Sequence, residues 1–179
     1  MFKIFVALTA SSLLILDSSN ASAQANGTFQ MVSQASGKCV SLKAADQNDG
    51  GGLVMRDCQN FADFFVTATS TFEAQLQFRL SSTKFICVFA TENPVVSPSG
   101  ARAKVMTRNC VSPSGVGIAG SLWNIRGSSG DDFRQIEKLR GVDSTNFCIR
   151  ENQQTSEVEL DVCQGVAEEN WKLKAISIP

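Results

Sequence analysis

The stretch Asn146-Phe147-Cys148-Ile149-Arg150, followed by Val158-Glu159-Leu160-Asp161-Val162-Cys163 and then by Trp171-Lys172-Leu173, decides the fold. Each piece is short, rich in β-branched, aromatic or other apolar residues and bounded by polar turn formers, so each reads as a strand. A fourth piece, Phe133-Arg134-Gln135-Ile136, opens the series and alternates at period two, as a half-buried strand does. Upstream, the same order occurs twice more. One copy is Leu76-Gln77-Phe78-Arg79-Leu80, Phe85-Ile86-Cys87-Val88-Phe89, Val105-Met106-Thr107-Arg108-Asn109 before Cys110, and the pair Trp123/Ile125. The other is Thr28-Phe29-Gln30-Met31-Val32, Lys38-Cys39-Val40-Ser41-Leu42, Leu53-Val54-Met55-Arg56-Asp57 before Cys58, and Phe64/Val66. The second cysteines fall at 58, 110 and 163, steps of 52 and 53 residues. Clusters of Gly, Ser, Asp and Asn, such as Asp46 to Gly52 and Ser112 to Gly117, punctuate the strands. A fixed period of this length marks an internal repeat. The chain therefore reads as all-β, with three four-stranded units over about 27–73, 74–126 and 127–175.

What precedes the first strand sets the compartment. Lys3 is followed by a nearly unbroken apolar run from Ile4 to Leu16, then small polar residues ending in Ala21-Ser22-Ala23. A short basic start, an apolar run too short to span a bilayer and an A-x-A ending make a secretory signal peptide, residues 1–23, cleaved near Ala23. A single domain, residues 24–179, follows, and its expected location is extracellular or periplasmic, without membrane insertion. In an oxidising compartment the six cysteines are expected to be paired. Six cysteines allow fifteen connectivities, and no C-x-x-C points to zinc or redox chemistry. The gaps of 19, 23 and 15 positions inside successive pairs suit sequential pairing, which would close three loops of similar size.

Composition removes other functions. The chain has no His, so it offers no imidazole base and no His-ligated metal. Sixteen basic residues against seventeen acidic ones, a net charge of −1, leave no electrostatic footprint for nucleic acid or an anionic membrane. The doublets Asp131-Asp132 and Glu168-Glu169 resemble carboxylate pairs only superficially, because adjacent strand residues face opposite ways. No catalytic residue, metal or cofactor is expected, and the chain is read as a non-enzyme. Asp46-Gln47-Asn48-Asp49 before Gly50-Gly51-Gly52 reads either as a hydroxyl- or Ca²⁺-binding loop or as an exposed hairpin turn, which favours the same residues. Arg56, Arg102, Lys104 and Arg108 lie in or beside the strands before the second cysteines and read as solubilising surface cations. Asn26-Gly27-Thr28 matches an N-glycosylation acceptor.

The three Cys-x-hydrophobic segments, each followed by a second Cys and an aromatic strand, resemble the ricin B-type lectins. The family marks its last strand with Gln-x-Trp; here Ser121-Leu122-Trp123 and Glu169-Asn170-Trp171 keep the Trp, and Ala62-Asp63-Phe64 replaces it. The resemblance implies a β-trefoil of three four-stranded repeats, each clasped locally by Cys39–Cys58, Cys87–Cys110 or Cys148–Cys163. It also implies a sugar pocket built from an Asp two residues after the first Cys, an aromatic two residues before the second, and an Asn three residues before the Trp. Those positions hold Ser41, Phe89 and Arg150; Arg56, Arg108 and Asp161; and Phe61, Gly120 and Glu168. The familiar pocket is thus lost, and a rebuilt one is expected in the first unit around Ser41, Asp46, Asn48, Asp49 and Arg56. The expected function is non-catalytic recognition of a glycan or glycosylated cell surface. Degenerate sites also resemble the accessory, delivery subunits of cytolethal distending toxins, which would make a catalytic toxin subunit a partner. A Kunitz soybean-type protease inhibitor is a more distant alternative, since the chain has no Tyr and lacks that family's start.

Overall fold

A computed structural model describes residues 27–43, 50–58, 64–68, 74–80, 84–90, 103–110, 120–127, 132–140 and 143–176. Twelve strands follow in order: β1 (Gly27–Ser33), β2 (Cys39–Leu42), β3 (Leu53–Arg56), β4 (Phe64–Ala68), β5 (Ala74–Arg79), β6 (Phe85–Ala90), β7 (Ala103–Asn109), β8 (Leu122–Arg126), β9 (Arg134–Arg140), β10 (Asp143–Asn152), β11 (Glu157–Val162) and β12 (Asn170–Ala175). A single 3-10 turn, Ala167–Glu169, leads into β12. The segments become strands because their apolar residues alternate: Leu53 and Met55 of β3 are buried while Val54 and Arg56 face outward, and Val158 and Leu160 of β11 repeat the pattern.

The expectation of a β-trefoil built from three equivalent four-stranded repeats is corrected by the pairing. All twelve strands belong to one antiparallel sheet, and ten of them close a barrel in the order β11-β3-β2-β1-β12-β9-β8-β5-β6-β7, sealed where β7 meets β11. β10 is an extra strand laid against β9 and β11, and β4 bridges β1 and β5. Ladders cross the unit boundaries at β1–β12, β4–β5 and β8–β9 as well as at β11–β3 and β11–β7. The physical cause is that a sheet edge left open exposes unpaired N–H and C=O groups, and closure removes the edges. At the closure β11 pairs with β3 at one position and with β7 at two, and a bridge from Gly52 to Met106 links the β3 side to β7.

The barrel interior holds Met31, Val40, Leu76, Phe78, Ile86, Val88, Ile136 and Ile149, with Trp123 and Trp171 wholly buried. Each indole satisfies its N–H inside its own unit. Trp123 Nε1 donates to the Val88 carbonyl at 3.1 Å, and Trp171 Nε1 to the Ile149 carbonyl at 3.0 Å, in both cases the residue after the unit's first cysteine. Disulfides join Cys39 to Cys58, Cys87 to Cys110 and Cys148 to Cys163, with Cα atoms 5.0, 4.9 and 5.0 Å apart. Among the described residues no helix is long and apolar enough to cross a membrane.

Candidate functional site

The antiparallel register puts the positions flanking each disulfide on one face of each hairpin. In the second unit Cys87 is opposite Arg108, and Phe89 is opposite Met106. Phe89 and Arg108 are diagonal neighbours on that face, and the guanidinium lies over the ring, 4.6 Å from its centroid. The ring also lies against Gly120, where an added Cβ would come within 2.4 Å of Phe89 Cε2. The three positions marked by the lectin resemblance therefore fill one another. In the third unit Arg150 and Asp161 occupy the corresponding diagonal and form a half-buried ion pair at 3.0 Å.

The first unit differs. Ser41 is buried in β2 opposite Val54, beside the Cys39–Cys58 clasp. Arg56 is exposed and donates from its guanidinium to the Lys43 carbonyl at 3.0 Å. The other expected ligands of this unit, Asp46, Asn48 and Asp49, lie outside the described residues. The described glycines of their flank bond to β7 of the next unit: Gly50 N–H donates to the Thr107 carbonyl at 2.7 Å, and Thr107 N–H returns a bond to the Gly51 carbonyl at 2.8 Å. Gly50 takes a φ of 90°, the left-handed region that glycine enters without strain.

Where β3, β7 and β11 meet, a cavity of about 230 Å³ opens to solvent. Its floor is apolar, from Leu53, Val105 and Val158, all buried. Its rim carries Lys43, Lys104 and Glu157. The Lys43 ammonium donates a hydrogen bond to the Glu157 carboxylate and holds its pKa below the usual glutamate value; burial opposes this, and the charges of Lys43 and Lys104 reinforce it. β11 is fixed beside β3 by the bond from Met55 N–H to the Ser156 carbonyl, 2.8 Å. Sequence reading placed Lys104 on the surface and overlooked Lys43 and Glu157. A usable signal was there: Gly52, Lys104 and Glu157 each lie six positions before the second cysteine of their unit, so equivalent strands bring them to one place.

Of the carboxylate doublets, Glu169 and Asp132 each have partners of their own. Glu169 is fully buried, and its Oε2 accepts from the Gln164 and Gly165 N–H groups, both at 2.8 Å, tying down the turn before β12. Asp132 is exposed and pairs with Lys172 at 3.4 Å. Asp131 lies outside the described residues. Among the described residues, no group of three or more His, Cys, Asp or Glu side chains is placed to hold a metal ion.

Among the described residues the geometry defines an all-β, disulfide-clasped barrel in which two hairpin faces are filled by their own side chains and a cavity opens where β3, β7 and β11 meet. Neither a protein-family model nor a curated protein matches the chain. Solved structures are similar in backbone. ThreeFoil, a designed 3-fold symmetric protein, matches at 16% identity over 84% of this chain and 99% of its own, with a TM-score of 0.66. A mosquitocidal holotoxin matches at 10% identity over 86% of this chain and 18% of its own, TM-score 0.63. The exo-β-1,3-galactanase 1,3Gal43A from Clostridium thermocellum matches at 12% identity over 84% of this chain and 30% of its own, TM-score 0.59. The chain thus spans the whole of the first and less than a third of each of the other two. At these identities the likeness shows a shared fold.

Proposed function

We propose that the chain is a secreted, non-catalytic recognition module of the ricin B-lectin kind, which binds glycans through the cavity between β3, β7 and β11. One observation carries this reading. The second and third units have closed their lectin positions with Phe89 on Gly120 and with Arg150 on Asp161, while the junction cavity keeps an apolar floor under a polar rim. An apolar floor suits the C–H face of a sugar, and a rim of ammonium and carboxylate groups suits its hydroxyls. The volume is below the roughly 300–1,000 Å³ typical of pockets for drug-sized ligands, which favours a single sugar unit. The backbone likeness to part of a galactanase supports the glycan reading. The likeness to part of a mosquitocidal holotoxin supports a second one, in which the module delivers a catalytic toxin subunit to a glycosylated surface.

A glycan array probed with the mature chain, shown by circular dichroism to be folded, tests the primary reading. We expect binding to a restricted set of glycans; a folded chain that binds none refutes it. Co-purification of a catalytic chain from the native source tests the second, and isolation as a lone chain refutes it. N-terminal sequencing of the exported protein should begin near Gln24, and a chain retaining Met1 would refute secretion by cleavage.

A further inference from the structure

We propose that the ligand of the junction cavity is an acidic sugar, a monosaccharide unit bearing a carboxylate or a sulfate ester; the proposal rests on the recognition reading above and assigns its ligand class. The three strands contribute unequally at their equivalent positions. Gly52 leaves the rim open on the β3 side, Lys104 supplies a cation from β7, and Glu157 a carboxylate from β11. Lys43 reaches the same rim, and its carbonyl holds the exposed Arg56 guanidinium beside it. Among the described residues that line the cavity, Lys43 and Lys104 stand against one carboxylate, Glu157, in a chain whose net charge is −1. Glu157 is occupied by Lys43. Lys104, exposed on β7 with Glu159 as its cross-strand partner, is the cation placed to meet an incoming anion. Glu157 can still accept from a hydroxyl, because a carboxylate has about four lone-pair sites and Lys43 uses one. Leu53, Val105 and Val158 beneath the rim supply the flat apolar contact that a free inorganic anion would leave unused.

The test is isothermal titration calorimetry on the full mature chain with five probes: glucuronic acid, 3′-sialyllactose, N-acetylgalactosamine 4-sulfate, neutral lactose and inorganic sulfate. We expect at least one acidic sugar to bind at least tenfold more tightly than lactose and than inorganic sulfate, and the carboxylated and sulfated probes to show which anion is preferred. Raising the salt from 50 to 300 mM should weaken that binding severalfold. Lys104→Glu should lower the affinity at least tenfold and Lys104→Gln by less, while Lys174→Glu, a charge reversal on exposed β12, leaves it unchanged. Thermal melts establish that each variant is folded. If lactose binds as tightly as the acidic sugars, or if Lys104→Glu and Lys174→Glu behave alike, the acidic-sugar assignment fails and the recognition reading survives. Inorganic sulfate binding as tightly as the sulfated sugar also overturns the assignment. If neither these probes nor an array shows sugar binding, both fall together.

Discussion

Gly120→Ala is the sharpest test of how Phe89 packs in the second unit. Gly120 has a φ of 94°, and an added Cβ would sit 2.4 Å from Phe89 Cε2 and 2.6 Å from the Ala90 carbonyl oxygen. Two costs follow. Forcing an L-residue into left-handed backbone costs about 1–2 kcal/mol. Inserting a methyl into a filled site costs about 1–3 kcal/mol, and here one of the two obstacles is backbone that cannot swing aside. Together they come to about 3 kcal/mol, which for a domain of this size lowers the melting temperature by roughly 6–12 °C. The Ala90 N–H also donates to the Gly120 carbonyl at 3.1 Å, so the strain reaches the end of β6 directly.

The assay is thermal and urea denaturation of Gly120→Ala, Phe89→Leu and the double variant. Shortening Phe89 removes the nearest obstacle and leaves both the φ cost and the clash with Ala90. The loss caused by Gly120→Ala should therefore shrink by about 1 kcal/mol in the Phe89→Leu background, a coupling large enough to separate neighbours from independent sites. A Gly120→Ala melting point within about 2 °C of the parent, or strictly additive losses, would refute the packing of Phe89 on Gly120 and with it the explanation of why that face is closed.

Three other outcomes are expected. Trp123→Phe and Trp171→Phe should each cost about 2–3 kcal/mol in urea unfolding, because each strands a buried carbonyl, Val88 or Ile149, and opens a void in a filled core. Replacing Cys148 and Cys163 together by Ser opens a loop of 15 residues and should cost about 3 kcal/mol, while mass mapping of non-reduced peptides returns the three links within the units. Acid unfolding should depend on Glu157: its carboxyl is held low by Lys43, so its contribution is complete above the unfolded glutamate pKa of about 4.3 and is lost as pH falls through the lower folded value. Because that group is exposed, the contribution is below about 1 kcal/mol, and Lys43→Gln should flatten only the stability curve below about pH 4.3.

Much of this was readable in the sequence because it is local. Leu53, Met55, Val158 and Leu160 alternate with outward residues over a few positions, and Cys39 and Cys58 lie only 19 positions apart. Trp123 and Trp171 announce a core position by size alone. The pairing of β11 with both β3 and β7 was not readable, since alternation says which face a residue takes and nothing about which distant edge its strand joins. That is why the expectation of three equivalent units gave way to one closed sheet. The site followed the same division. Ser41 and Arg56 are diagonal neighbours across β2 and β3 and do not line the cavity, whereas Lys43, Lys104 and Glu157 come from three separate parts of the chain and meet only when β7 and β11 seal the barrel.

The same inequality of units bears on valency. A repeat that kept its lectin positions would carry one pocket per unit and gain avidity from three. Here the substitutions act in the opposite sense at the periphery and at the junction. At the periphery Phe89 partners Arg108 and Arg150 partners Asp161, each within its own unit, so these side chains hold their hairpins together. At the junction the equivalent positions diverged into a glycine, a lysine and a glutamate, and no rotation of the repeat superimposes them. The cavity they line presents one orientation of charge. Under the recognition reading proposed above, binding rests on this cavity, and strength on a glycan-rich surface then depends on a second copy or on a carrying partner.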